Sequence, residues 1–334
     1  MIKLASASLA LLTLTTLPAQ EAPHLEWHAD FDVAAAAAKK AGKDLLVDFT
    51  GSDWCGWCIR LHEEVFDHAE FAAGVKDHFV LVALDFPRGA EAKAKVPNPA
   101  RNKELSEQYG VRGFPTILLM SPDGEVFGKT GYQAGGPVKY VEALDKMRTE
   151  GKKNLAEIKA LVKQYDATEG EERQRVLVAA VDLLGRMQAD QIGVDDVAAI
   201  VFDAVEAEDA ALQEKAVIAL LKSGQADDAC VSKAETLDPD NQKGLLDLTT
   251  QCAMEKVQDD ESAKAFLAKL DVLVAKGAKD AALLEGMLAN AARWTAGPLK
   301  DKDASVKYAK LLKAKAVDPA KHADLLKDIL GDDA

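Results

Sequence analysis

Two closely spaced cysteines, Cys55 and Cys58, have residue types and spacing suited to redox chemistry. They follow the apolar run 45–49 and precede a helical pattern. The unpaired N–H groups and positive dipole of a helix N-terminus favour a thiolate over a thiol. Because the thiolate is the species that attacks a disulfide, Cys55 is predicted to be the attacking sulfur. Cys58, one turn into the helix, can then close an intramolecular disulfide.

Other uses of a Cys-x-x-Cys pair fit the sequence less well. A zinc site needs a second pair of ligands, and near the cysteines the chain offers His62 and His68. Covalent haem attachment needs a histidine directly after the second cysteine, where this chain has Ile59. A purely structural disulfide across so short a loop is strained. The pattern therefore favours a redox dithiol with no metal and no cofactor. His62 is then interpreted as a helix-surface residue.

The apolar patterns around this pair predict an α/β domain. Short apolar runs at 44–49 and 79–85 predict buried strands, and the helix between them makes the βαβ unit of a parallel sheet. A strand at 116–120, a turn at 121–124 and a returning strand at 125–129 predict an antiparallel hairpin. Before the first of these strands, Trp27, Phe31 and the Ala-rich segment 33–41 predict an amphipathic helix with Asp30 as its N-cap. Further helices are predicted at 55–65, 71–75, 102–109 and 138–147.

This order of elements resembles that of the thioredoxin superfamily, and exported bacterial thioredoxin-like proteins with a Trp-Cys-Gly-Trp-Cys motif are the most similar. The resemblance implies a central mixed β-sheet flanked by helices over residues 24–150. The residues that carry it are the strand 46–49, the motif 54–58, the segment 109–116, and the turn 121–124 followed by Gly131.

The resemblance also implies roles for particular residues. It makes Cys55 the nucleophile and Cys58 the resolving cysteine. Pro115 aligns with a cis-proline, which would expose the backbone of Phe114 to an extended substrate. Asp48 resembles a buried acid that relays a proton to the resolving cysteine, and burial should raise its pKa. Asp53 is an alternative, because the spacing from Asp48 to Cys55 is one residue longer than in thioredoxin.

Four residues around the pair are expected to meet substrate. Gly56 and Trp57 occupy the positions between the cysteines, where the dipeptide tunes the stability of the thiolate. Trp57 is large enough to contact substrate or to cover the sulfurs. Trp54, whose main expected role is packing, and Phe114 complete the set.

Residues 151–334 differ in composition and in apolar pattern from the preceding part of the chain. They are rich in Ala, Leu, Lys, Asp and Glu with apolar residues at helical spacing, which predicts an all-α domain. Similar phrases at 233–239 and 313–319, each ending in Asp-Pro, suggest tetratricopeptide-like repeats, with an irregular bundle as the alternative. Cys230 and Cys252 are predicted to form a structural disulfide across a helical hairpin; the alternative is a pair of buried free thiols.

Charge and the N-terminus limit the partners and the compartment. A formal net charge of -14 argues against a nucleic-acid partner, which requires clustered Lys and Arg. Residues 1–19 have a positive start at Lys3 and then a short apolar run, the pattern of a secretory signal peptide. Cleavage after Ala19 would leave an exported protein, in the bacterial periplasm, without stable membrane insertion.

These observations predict an exported thiol–disulfide oxidoreductase. Its partners would be proteins bearing thiols or disulfides, or a protein that exchanges electrons with it. The alternative is a non-enzymatic interaction protein in which the helical domain binds partners and the first domain is a scaffold.

Overall fold

The computed structural model of the protein describes residues 25–331. The predicted signal peptide at 1–19 lies outside the described residues. The chain divides into two compact units, with the division between Lys152 and Lys153. The first unit is α/β and the second is helical, which confirms the predicted fold class.

A five-stranded mixed sheet is the centre of the first unit. Its strands are β1 (Trp27–His28), β2 (Asp44–Thr50), β3 (Phe79–Asp85), β4 (Thr116–Met120) and β5 (Val126–Thr130). Their order is β1-β3-β2-β4-β5, with β1 and β2 parallel to β3 and with β4 antiparallel to both β2 and β5. Trp27 was predicted with the first helix, but it pairs with Leu81 of β3 instead.

The helices of the first unit begin with a well-capped one. Asp30 accepts hydrogen bonds from the N–H groups of Asp32 and Val33, as an N-cap carboxylate does. A single π-helical turn, His62–Phe66, continues the helix that carries the cysteines. The helices are α1 (Phe31–Ala41), α2 (Gly56–Leu61), α3 (Ala69–Val75), α4 (Ala90–Lys93), α5 (Pro99–Gln108) and α6 (Gly136–Ala167), the last of which begins in this unit and ends in the second.

Strand β2 is buried along its whole length and separates two sets of side chains. Side chains of a strand alternate between its faces. Leu45, Val47 and Phe49 join the core that includes Phe31 of α1, and each contributes roughly 1.5–3 kcal/mol by burial. Asp48 lies on the opposite face, where it contacts the turn that follows α2. The strand therefore delivers the Asp48 carboxyl group to the side of the sheet that carries the cysteines.

The second unit consists of helices packed around two apolar clusters. Five of its described helices begin after an aspartate whose carboxylate accepts an N–H of the first turn, a cap that contributes about 1 kcal/mol each. The helices of this unit beyond α6 are α7 (Gly170–Leu184), α8 (Val194–Val201), α9 (Ala210–Lys222), α10 (Asp228–Leu237), α11 (Leu245–Glu255), α12 (Asp260–Lys276), α13 (Ala281–Ala296), α14 (Lys302–Lys315) and α15 (Ala323–Leu330).

The disulfide predicted between Cys230 and Cys252 is absent. Both residues are buried free cysteines, on α10 and α11. The thiol of Cys252 lies 3.6 Å from the carbonyl oxygen of Leu221 on α9, to which it donates. The Cys252 sulfur is thus hydrogen-bonded to a third helix. The prediction considered only the two helices of the hairpin and so did not include this contact.

None of the helices between residues 25 and 331 is long and apolar enough to cross a membrane.

Candidate active site

Cys55 is the N-cap residue of α2. Its backbone is extended, and its Sγ accepts the N–H of Cys58 at 3.2 Å. The two cysteines are joined by a disulfide with an S–S distance of 2.10 Å. After reduction, the same N–H and the helix dipole would face a sulfur that can carry negative charge. The geometry therefore matches the predicted stabilisation of a Cys55 thiolate.

The cysteines are less exposed than an attacking sulfur was expected to be. Cys55 is 6% exposed and Cys58 is 1% exposed. Gly56 is exposed, and Trp57 between them is 55% exposed. The sulfurs thus lie directly beneath residues that face solvent, with Cys55 the nearer of the two to the surface.

Trp54 is fixed beside the motif by contacts on several sides. Its indole N–H donates to the carbonyl oxygen of Phe86 at 2.9 Å, and the Arg88 guanidinium lies 3.9 Å from its ring centroid. Its ring meets that of Phe114 edge-on, with centroids 5.8 Å apart. A Cβ at Gly51 would come within 2.7 Å of the indole, so the loop before the motif requires glycine there. Trp54 thus packs the loop, as predicted, and places Phe114 next to it.

Two acidic side chains order the loops around the motif. Asp85 accepts the N–H of Ser52 at 2.9 Å and its hydroxyl at 2.6 Å. Asp53 accepts the N–H groups of Arg88 and Gly89 at 2.9 and 2.7 Å, and these backbone hydrogen bonds lower its pKa. An exposed carboxyl with a lowered pKa is not a buried proton relay, so Asp53 does not replace Asp48 in that role.

The segment before β4 has the backbone that the resemblance implied. The Phe114–Pro115 peptide bond is cis. The hydroxyl of Thr116 donates to the carbonyl oxygen of Gly113 at 2.8 Å, which closes the turn around Pro115. The ring of Phe114 packs against Phe86, with centroids 5.2 Å apart.

Trp57 rests on a polar cluster at the surface. Its ring lies 5.0 Å from that of Tyr132, and the Arg60 guanidinium lies 5.6 Å from the Trp57 centroid. Glu64 accepts hydrogen bonds from Arg60 Nε at 2.7 Å and from the Tyr132 hydroxyl at 2.6 Å. This cluster holds an exposed indole between the two cysteines.

Asp48 is fully buried behind α2 and is paired with a histidine. Its Oδ2 lies 3.3 Å from Nε2 of His62. Burial raises the pKa of Asp48, although the hydrogen bond and charge of His62 act in the opposite direction. Its Oδ1 has no hydrogen-bond partner among residues 25–331. A buried carboxyl whose pKa is raised is suited to accept and return a proton as a general acid–base group.

His62 is only in part the helix-surface residue that was predicted, because its side chain is 34% exposed and its Nε2 lies against Asp48. Burial alone would lower the pKa of its imidazole, but the hydrogen bond and the charge of Asp48 raise it above the ordinary value. One signal was present in the sequence, because a residue four positions after Cys58 lies on the same helix face. His68, the other histidine considered as a zinc ligand, contacts the carbonyl oxygen of Glu63. No group of three or more His, Cys, Asp or Glu side chains in 25–331 could hold a metal ion.

A sulfur pair at a helix N-terminus, a cis-proline segment and a buried carboxyl, arranged on a mixed sheet, define a thiol–disulfide oxidoreductase with a thioredoxin-like fold. A family model described as a thioredoxin-like domain matches residues 31–148. Disulfide bond reductase DsbH of Chlamydia pneumoniae is 34% identical over 122 residues, which cover 36% of this chain and 70% of that protein. The chain therefore belongs to the thioredoxin-like family.

Two further comparisons concern the same class of protein. Thioredoxin-related protein DsbJ of Chlamydia pneumoniae is 28% identical over 148 residues, which cover 42% of each protein. A solved structure titled DsbH Oxidoreductase shares 28% identity, covers 41% of this chain and 94% of its own, and superposes with a TM-score of 0.35. The family match lies within the first unit.

Proposed function

We propose that the protein is an exported reductase of protein disulfides in which Cys55 attacks and Cys58 resolves. The observation that carries the proposal is the position of Cys55 as the N-cap of α2, with its sulfur 3.2 Å from the Cys58 N–H. The direction of the reaction is supported by the relative that is named a disulfide bond reductase.

The reaction transfers two electrons from the dithiol to the substrate. The Cys55 thiolate attacks one sulfur of a substrate disulfide, which forms a mixed disulfide and releases a first substrate thiolate. The thiol of Cys58 gives its proton to the Asp48 carboxylate and attacks Cys55 Sγ. This releases the second substrate thiolate and leaves the Cys55–Cys58 disulfide. A partner dithiol of another protein then reduces the pair.

Substrate would meet the exposed aromatic surface around the motif. Trp57 is held by the Tyr132, Arg60 and Glu64 cluster, and Gly56 beside it leaves the approach to Cys55 open, since a Cβ there would meet nothing within 4 Å. The cis bond before Pro115 is in the segment that would pair with an extended substrate backbone, next to Phe114 and Trp54.

Export rests on the signal-like pattern at residues 1–19, and the bacterial periplasm is the proposed compartment. Expression of the full chain in a bacterium with a periplasm, followed by fractionation and N-terminal sequencing, tests it. A mature chain that starts at Gln20 in the periplasmic fraction is expected. Retention of Met1 in the cytoplasmic fraction would contradict it.

The helical unit is proposed to bind partners as a repeat array. Asp247 of α11 accepts the N–H groups of Lys279 and Asp280, 32 and 33 residues later. Glu285 of α13 accepts those of Val317 and Asp318 at the same two separations. One kind of contact, with the same separation between acceptor and donors, thus occurs twice along the unit, which supports successive helix pairs as a repeating unit.

Insulin reduction driven by dithiothreitol separates the enzyme from the scaffold alternative. The native chain should accelerate precipitation of the insulin B chain, and Cys55→Ser should fall to the uncatalysed rate. Cys252→Ser is the matched control, because it removes a cysteine that the mechanism does not use and keeps a donor for Leu221. Equal rates for the native chain and Cys55→Ser would contradict the enzyme proposal and favour the scaffold alternative.

The reduction potential tests the direction. In a glutathione titration, a value near about −270 mV supports a reductase, whereas one near −120 mV would make the protein an oxidant.

A further inference from the structure

Three ionisable side chains form a line from the buried interior of the first unit to its surface. Asp48 Oδ2 lies 3.3 Å from His62 Nε2, and His62 Nδ1 lies 4.0 Å from Asp67 Oδ1. The exposed fraction of the side chain rises along the line, from 1% for Asp48 through 34% for His62 to 67% for Asp67. We propose that His62 carries protons between solvent and Asp48. This proposal rests on the proposed function, and it makes His62 a positioning residue, one that acts through Asp48, for the resolving step at Cys58.

The imidazole is held in this line by its neighbours. The ring centroid of Phe66 lies 5.0 Å away at a right-angled tilt, and that of Trp27 lies 5.8 Å away. His62 itself is in the first turn of the π-helical segment, one helical turn after Cys58. Packing on two sides leaves the ring with one nitrogen toward Asp48 and the other toward Asp67.

The other titratable groups around the pair do not offer the same route. Asp85 of β3 acts on the pair through its charge, which raises the pKa of both Asp48 and His62. Tyr140 of α6 is buried, which raises its pKa far above the ordinary value, and its hydroxyl donates to the carbonyl oxygen of Gly131 at 3.0 Å. Asp67 favours the charged imidazole from the solvent side. His62 is thus the group in this set that contacts Asp48 on one side and reaches the exposed Asp67 on the other.

The proton balance follows the resolving step. Cys58 gives its proton to Asp48 and its electron pair to the new bond with Cys55 Sγ. Protonated Asp48 then donates to Nε2 of neutral His62. The imidazolium releases its Nδ1 proton to water beside Asp67, and Asp48 is again a carboxylate. No oxidant beyond the substrate disulfide is needed.

Variants of the full chain test this in single-turnover reduction of insulin, with the mixed disulfide trapped by acid and quantified by mass. His62→Gln keeps a hydrogen-bonding amide but cannot titrate. We expect its mixed disulfide to resolve roughly tenfold more slowly at neutral pH, with the acid limb of the pH–rate profile moved to higher pH. His68→Gln, the matched control on an exposed histidine, should keep the native profile.

A second comparison shows whether His62 acts through Asp48. Asp48→Asn should slow resolution, and adding His62→Gln to it should cause no further loss, because the group that His62 serves is already gone. Thermal unfolding of each variant verifies that the fold is intact. A native pH profile in His62→Gln, or full additivity in the double variant, would overturn the inference.

Titration of the native reduced chain by NMR tests the pair without a variant. The Asp48 carboxyl and His62 imidazole signals should each show both inflections of a coupled pair. If the Asp48 and His62 signals each showed a single inflection at a different pH, the inference would be overturned. The proposed function fails by a separate result, because Cys55→Ser that retains activity would overturn it whatever His62 does.

Discussion

Cys58 of the first unit and Cys230 of the second are each the third residue of a helix, but they follow different N-cap residues. In α2 the Cys58 N–H donates to the Sγ of the N-cap residue Cys55 at 3.2 Å. In α10 the Cys230 N–H donates to the carboxylate of the N-cap residue Asp227 at 2.7 Å. The hydrogen-bond pattern is the same, but a sulfur stands in the first cap and a carboxylate in the second. We therefore expect a helix N-terminus to activate a cysteine when the sulfur is itself the cap.

The thiols of the second unit are held in their neutral form. Burial is the main cause that raises the pKa of Cys230 to about 12, and the charge of Asp227 adds to it. Burial also raises the pKa of Cys252, whose thiol lies against the Leu221 carbonyl. Since the thiolate is the reactive form, these two residues act as small apolar side chains.

The units also differ in the number of hydrogen bonds that a buried aspartate accepts. Asp48 has a single partner, His62, and an unpaired Oδ1 within the described chain. Asp247 is equally buried but accepts from Asn241 Nδ2 at 2.8 Å and from two backbone N–H groups at 2.9 Å. A carboxylate with three donors stabilises its loop, whereas one with a single partner is left free to exchange a proton.

Alkylation of the reduced native chain should show the largest contrast. At neutral pH iodoacetamide should modify Cys55 quickly. Cys230, with a pKa near 12, has roughly a thousandfold smaller thiolate fraction than a cysteine with an ordinary pKa. Mass spectrometry after timed quenching measures both rates, and urea-unfolded protein is the control in which all four cysteines react. Comparable rates in the folded chain would break the distinction between the pairs.

Amide substitution of the two buried aspartates should change stability in opposite directions. Asp247→Asn should lower the free energy of unfolding by about 2 kcal/mol, because a charge-assisted set of hydrogen bonds is lost. Asp48→Asn should raise it at neutral pH, because an ionised carboxyl no longer has to be buried. Urea unfolding followed at tryptophan and by circular dichroism measures both. Destabilisation by both substitutions would remove this part of the comparison.

The same Asp48 variant should alter the pH dependence of stability. The folded-state pKa of Asp48 is raised above the unfolded value of 3.8, so its contribution to stability is present at low pH and is lost as pH rises through the folded pKa. Asp48→Asn should flatten that decline in the thermal midpoint. An unchanged slope would mean that Asp48 does not titrate in this range.

Removal of the cap charge beside Cys230 should have the smallest effect. Asp227→Asn should lower the pKa of Cys230 and raise its alkylation rate by less than about tenfold, because burial, the larger cause, remains. Asp259→Asn, at the N-cap of α12, is a matched substitution away from a cysteine. A large gain in reactivity would show that charge, and not burial, keeps the thiol neutral.

Much of the redox site could be predicted from sequence because its parts are close along the chain. The apolar run before Cys55 predicts a buried strand, and a strand that leads into a helix places Cys55 at the helix N-terminus by local geometry alone. Asp48 is buried for the same reason, since it stands within that apolar run. The cis bond at Pro115 was predicted from the family motif and not from spacing.

Contacts between distant elements decided the rest. Whether His62 meets solvent or a carboxyl depends on which residues of β2 face α2, and local periodicity leaves that partner open. Cys252 points toward Leu221 on α9, a third helix that pairwise spacing does not include. Local sequence determines which elements form and which residues stand at their ends. The pKa of a buried side chain depends on neighbours that are far apart along the chain. Tertiary packing alone therefore decides it.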